Sequence, residues 1–166
     1  MKKILILIAL ALPILASAET TTKFGYVNTQ ELFTLLPEVK QVQSRMDSLN
    51  KQYEDMLVGM QEEYKKKVSD YEQKQATMTD AMKQIQEEEL YTMQQRIQTA
   101  YQTAQQDLEQ KRQEYLVPVQ KKMIEAVKEV GEKNGYTYIF DSAAMVYVAP
   151  SAENLMEPVK KQLGIK

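Results

Sequence analysis

The sequence predicts an α+β chain: a long antiparallel α-helical hairpin of coiled-coil arms standing on a small base of short β-strands. Three observations carry this. From Pro37 to Asn134 the chain is charged, glutamine-rich and helix-forming, and between Pro37 and Pro118 its only glycine is Gly59. An apolar stripe runs through that stretch without an internal stop, at a length beyond ordinary globular helices. The flanks, 23–36 and 135–166, hold short aromatic and β-branched runs that read as strands. An uninterrupted single rod is the alternative to the hairpin.

The first eighteen residues stand apart from this fold. Lys2 and Lys3 precede an apolar run from Ile4 to Leu15, and Ala16-Ser17-Ala18 supplies a small-x-small cleavage site. Residues 1–18 therefore read as a signal peptide, with the mature chain, a single domain over 19–166, beginning at Glu19. An uncleaved membrane anchor is the competing reading, disfavoured because the run is short and no second hydrophobic segment follows. Loss of Lys2 and Lys3 leaves 19 basic against 23 acidic residues, a net charge of −4.

The base opens with a strand over Lys23 to Asn28. A short amphipathic helix from Thr29 to Leu36 follows, with Thr29 as its expected N-cap and Leu32, Phe33 and Leu36 at helical spacing. Pro37 restarts the helix, being favoured at a first position. The first arm carries Val42, Met46, Leu49, Tyr53, Met56 and Met60 in alternating steps of four and three, then Tyr64, Val68, Tyr71, Gln75, Met78, Met82 and Ile85. Two consecutive steps of four relax the supercoil locally.

The reversal is expected between Ala76 and Met82, where poor helix formers and two candidate N-caps cluster. Facing Lys65-Lys66-Lys67 against Glu87-Glu88-Glu89 centres the turn on Thr77. Arms of forty residues or more would project about 60 Å. The returning stripe passes through Leu90, Met93, Ile97, Ala100 or Tyr101, Ala104 and Leu108. It resumes from Tyr115 through Val119, Met123, Ala126 and Val130.

Pro118 is expected to kink or restart this helix, and Gly131, Asn134 and Gly135 to end it. Tyr136 to Asp141 and Met145 to Val148 read as two strands of a hairpin across a loop at 141–144. Pro150 breaks it, and a last helix from about Asn154 carries Leu155, Val159 and Leu163 to a stop at Gly164.

Three short strands and two short helices cannot build a self-sufficient core, and their open edges invite pairing. Several copies are expected to assemble through the base, with Tyr26, Val27, Ile139, Phe140, Val146 and Val148 as the residues that meet. Catalysis is disfavoured: the chain has no histidine and no cysteine, hence no imidazole base, thiolate or ordinary zinc site. Its acidic runs alternate with lysine and glutamine as solvated ion pairs do. It also lacks a glycine-rich phosphate loop, and no cofactor is expected. The acidic balance argues against nucleic-acid binding. The arms are unusual in using methionine and tyrosine where a tight seam would use leucine. Flexible, polarizable methionine and two-faced tyrosine suit surfaces that accept many apolar shapes. Met56, Met60, Tyr64, Tyr71, Met78, Met82 and Met93 are the candidate contact residues.

Lys23-Phe24-Gly25-Tyr26-Val27-Asn28 with Glu31-Leu32-Phe33, then Ala126 to Val130 leading into Asn134 to Asp141, then Asn154, Leu155, Val159 and Leu163 form a set. In these motifs the chain resembles the Skp (OmpH-like) family of periplasmic chaperones. The resemblance implies a homotrimer whose subunits join strands into a β-barrel body. It also implies arms that enclose a cavity, where unfolded outer-membrane proteins are held without ATP in the periplasm. The best-known members are strongly basic whereas this mature chain is acidic. Lipopolysaccharide or anionic-lipid binding and charge-steered capture are therefore not carried over. The competing class is a structural or adaptor coiled coil of the cell envelope that binds one folded partner.

Overall fold

The computed structural model describes residues 22–165, so the signal-peptide reading of 1–18 lies outside it. Strand β1 (Phe24–Val27) leads into helix α1 (Thr29–Leu35), and Pro37 opens the first arm, α2 (Pro37–Lys74). A single 3-10 turn, Gln75–Thr77, reverses the chain into the second arm, α3 (Asp80–Asn134). Strand β2 (Tyr138–Asp141), a 3-10 turn at Ser142–Ala144 and helix α4 (Met156–Leu163) complete the base.

The arms are helical hairpin, not rod. At 38 residues α2 extends about 57 Å at ~1.5 Å per residue. Met78 is extended, and the Thr79 hydroxyl caps α3 by accepting from the Met82 N–H at 3.4 Å. Cross-arm pairs of Glu38 with Lys122, Tyr53 with Asp107, Lys67 with Glu89 and Tyr71 with Glu87 all centre near Thr79. The register is thus uniform from base to tip.

Strands β1 and β2 are parallel, with Phe24 opposite Tyr138 and Val27 opposite Asp141. A parallel pair needs a long crossover, and here the whole hairpin is that connection. On its other edge β1 meets residues 153–155: the Tyr26 N–H donates to the Glu153 carbonyl at 3.0 Å, and the Leu155 N–H donates to the Tyr26 carbonyl at 2.9 Å. β1 is therefore the central strand. Its inner face, with α1, α4 and the roots of both arms, encloses one core in which Val27, Leu32, Leu36, Leu155 and Val159 are the most deeply buried.

Two glycines permit close approach at this core. A Cβ on Gly25 would lie 2.7 Å from Leu155 Cδ1 and 3.1 Å from Tyr136 Cε1; one on Gly131 would lie 2.9 Å from Ile139 Cδ1.

Several local expectations are corrected. Met145 to Val148 do not form a strand and residues 136–148 make no β-hairpin, because β2 pairs with β1 instead. Pro118 does not restart the helix: α3 is continuous across it. Pro118 and Glu114, whose carbonyl loses its donor, are exposed, so water can satisfy that carbonyl while Val119 and Met123 beside it stay buried. Gly131 is not a stop but a contact point inside α3. The stop is Gly135 in the left-handed conformation, with the Tyr136 N–H closing on the Gly131 carbonyl at 3.0 Å. The cap of α1 is Asn28, not Thr29: its side-chain oxygen accepts from the Glu31 N–H at 2.9 Å.

Candidate binding surfaces of the arms and the base

The arms change character along their length. Near the base Val42 and Met46 of α2 pack on Val119, Met123 and Ala126 of α3. Further out Ala104 is the last fully buried apolar residue among those described. From about that level outward the seam is held by half-buried side chains and by polar pairs. Tyr53 donates its hydroxyl to Asp107 at 2.8 Å, and Tyr71 donates to Glu87. In each case the accepting carboxylate raises the phenol above its ordinary value. Glu89 does the same to the Lys67 ammonium, and at the root the hydrogen bond from Lys122 lowers the Glu38 carboxyl.

The candidate contact residues divide on this geometry. Met60, Tyr64, Tyr71, Met78 and Met93 are half-buried. Met56 and Met82 point outward, 43% and 53% exposed. The stripe drawn through Met56 is corrected by one position, since Leu57 is the half-buried residue there. Ile85 likewise leaves the stripe and is 63% exposed, and Ala100 rather than Tyr101 faces the partner arm. Val58 and Tyr91 add exposed apolar surface that the heptad count did not single out. The signal was present: each sits one step off a stripe already filled.

At the base, period-two alternation sorts the residues. Val27 is buried inside the subunit, and Ile139 is half-buried against the core and Gly131. Both therefore serve the chain's own core. Tyr26 and Val148 are half-buried, while Phe140 and Val146 are exposed. Phe140 belongs to a stack that the sequence reading missed. Phe24, Tyr138 and Phe140 lie 5.9–6.2 Å apart, ring to ring, on the outer face of the sheet. All three are exposed. Phe24 and Tyr138 are cross-strand partners at the ends of two alternating runs, which is how they could have been found.

One polar cluster fastens the start of α1. Asp141 accepts from the Thr29 hydroxyl, from the Thr29 N–H at 3.3 Å and from the Ala143 N–H at 3.0 Å. These bonds, the Thr29 hydroxyl foremost, hold its carboxyl below the usual aspartate value. Among the described residues no group is placed to hold a metal ion and no helix is long and apolar enough to cross a membrane.

Comparison with known proteins agrees with this architecture. The family model described as outer membrane protein (OmpH-like) matches residues 23–163. The chaperone protein Skp of Yersinia enterocolitica is 26% identical over 162 residues, covering 97% of this chain and 99% of that protein. Its namesake in Vibrio cholerae serotype O1 is 30% identical over 164 residues, covering 89% and 86%. A crystal structure of an OmpH-like protein from Caulobacter crescentus CB15 shares the fold with a TM-score of 0.75. The match covers 86% of this chain and 83% of that one, at 17% identity.

Proposed function

Because the chain belongs to the OmpH-like outer membrane protein family, we propose that it is a chaperone and not an enzyme. In this reading it is a periplasmic holdase that needs no ATP and binds unfolded outer-membrane β-barrel proteins between the helical arms of a homotrimer, preventing their aggregation. The observation that carries it is the contrast along the hairpin: a packed root, and distal arms where Met56, Val58, Met82, Ile85, Tyr91 and Tyr101 face solvent. Such surface on a thin two-helix arm has no fold to stabilise, and contiguous exposed apolar surface marks binding. Methionine suits clients of differing shape because its thioether chain repacks at little cost.

Assembly follows from the base. The stacked Phe24, Tyr138 and Phe140 expose three rings on one sheet face, and the outer edge of β2 has no partner strand among the described residues. Neighbouring copies would cover both. In this reading residues 1–18 direct export and are cleaved off, and mass spectrometry of the envelope protein should find Glu19 first.

The deciding experiment is dilution of a urea-unfolded outer-membrane β-barrel into buffer with and without the mature protein, followed by light scattering. Suppression near one trimer per client is expected. Unchanged aggregation, with retention of one folded envelope protein, would replace this reading with the adaptor.

A further inference from the structure

A continuous groove runs along one side of the hairpin between the arms. Met56 and Met60 of α2 and Ile85, Met93, Ile97 and Ala100 of α3 supply its apolar lining. Its two stretches join at Thr92 and Arg96, which border both. On α3 it extends from Ile85 to Thr103, about 27 Å at ~1.5 Å per residue.

The rim is not neutral. Glu88 stands near the tip end and Glu63, one turn baseward of Lys67, about level with Met93; both are exposed and neither is in an ion pair among the described residues. Glu89 beside them is engaged by Lys67. Across residues 80–110 six acidic side chains stand against only Lys83 and Arg96. A groove that is chiefly apolar toward its base end and mixed, with the free carboxylates of Glu63 and Glu88 beyond Arg96, toward its tip complements a segment that is apolar on one side and positively charged at one end.

We propose that this groove takes an extended segment of unfolded polypeptide, apolar at alternate positions and carrying lysine or arginine at the end nearer the arm tip. The inference rests on the holdase reading and specifies the surface and the segment. An extended chain rises about 3.3 Å per residue and sends alternate side chains to one side, so roughly eight residues fill the groove with four or so side chains on its floor. The lipid-facing band of a membrane β-strand is about 25 Å tall, which matches that length. Glu63 and Glu88 attract a cationic end and repel an anionic one, so the groove discriminates by charge as well as by pattern.

The test uses the full mature protein and two dye-labelled peptides of alternating leucine and serine, one ending in two lysines and the other in two glutamates, read by fluorescence anisotropy. At low ionic strength the lysine-ended peptide should bind about tenfold tighter, and the difference should shrink to within about twofold near 0.5 M salt. Glu63→Gln with Glu88→Gln should narrow the preference similarly while leaving helicity unchanged, and Ile85→Ser should weaken both peptides. Equal affinities at low salt, or a preference indifferent to the double Gln variant, would overturn the proposal. The same preparation is scored for suppression of aggregation. Suppression without peptide preference refutes the groove and leaves the holdase reading standing; preference without suppression does the reverse.

Discussion

Replacing Met56, Met82 and Ile85 together by serine isolates the arm surface from the arm fold. All three project away from the seam, between 43% and 63% exposed, so their loss costs the hairpin little packing. Complete burial of such a side chain is worth about 1.5–3 kcal/mol. With roughly half of each still open, a bound client can gain on the order of 1 kcal/mol per residue. The triple variant should therefore lose about 2–3 kcal/mol of client binding, a rise in Kd of roughly 30- to 150-fold, while each single change should cost no more than about fivefold. Titration of a urea-unfolded outer-membrane β-barrel, with circular dichroism to verify helices and light scattering to verify the oligomer, measures this. A single substitution that eliminates binding, or a triple variant indistinguishable from the parent, would refute distributed apolar holding. Met60 and Met93 are poorer probes, because half of each is already committed to the seam.

Phe140→Asp should dissociate the assembly without unfolding the subunit, since the ring is exposed; light scattering showing an intact oligomer would count against assembly through that face. Ile139→Asp differs, as it places a charge against the core and should unfold the base. Gly25→Ala forces a Cβ to 2.7 Å from Leu155 and should destabilise the base by about 1–3 kcal/mol, read as a lower urea midpoint in near-ultraviolet dichroism. Asp141 has a folded pKa below its unfolded one, so its stabilisation is complete above the ordinary aspartate value near ~4 and disappears as pH falls below it. Glu38, lowered by Lys122, contributes with the same sign. Asp141→Asn should accordingly be less stable than the parent at pH 7 and converge with it in acid; a constant difference across pH would discount the Thr29 contact.

The arms were legible because their signal is repetitive. Leu90, Met93, Ile97, Ala104, Leu108, Tyr115, Val119, Met123, Ala126 and Val130 were read off spacing, and each proves half-buried or buried. Spacing failed at Met56, inside the regular alternation, and at Met82 and Ile85, beyond the two consecutive steps of four; all three were drawn into a seam they do not enter. The base was less legible because strand pairing joins distant residues. Met145 to Val148 carry β-forming side chains, yet the partner of β2 is β1, more than a hundred residues earlier, and local propensity cannot express that preference. Gly131 looked like a stop for a similar reason: its requirement is set by Ile139 across a contact invisible in sequence. The candidate contact residues were chosen on chemistry, and of them only Met56 and Met82 prove exposed. Phe24 and Tyr138 end two alternating runs that the sequence shows, but that their rings stack with Phe140 follows from the pairing of β1 with β2.

The parallel pairing of β1 with β2 also fixes an order of events. The Lys23 N–H bonds to the Thr137 hydroxyl across 114 positions, so the first strand to emerge during synthesis is among the last segments to find its mate. Joining such distant points in a coil is entropically unfavourable, and contacts of long sequence separation form slowly. The two arms remove most of that separation once they zip from the Thr79 turn, because their roots then bring Glu38 beside Lys122, leaving only short lengths of chain between that point and each strand. Until that moment β1 is an unpaired strand in a newly made chain, open to the wrong neighbour. A protein proposed to shield others from this hazard passes through it during its own maturation, and its arms must close before its base can.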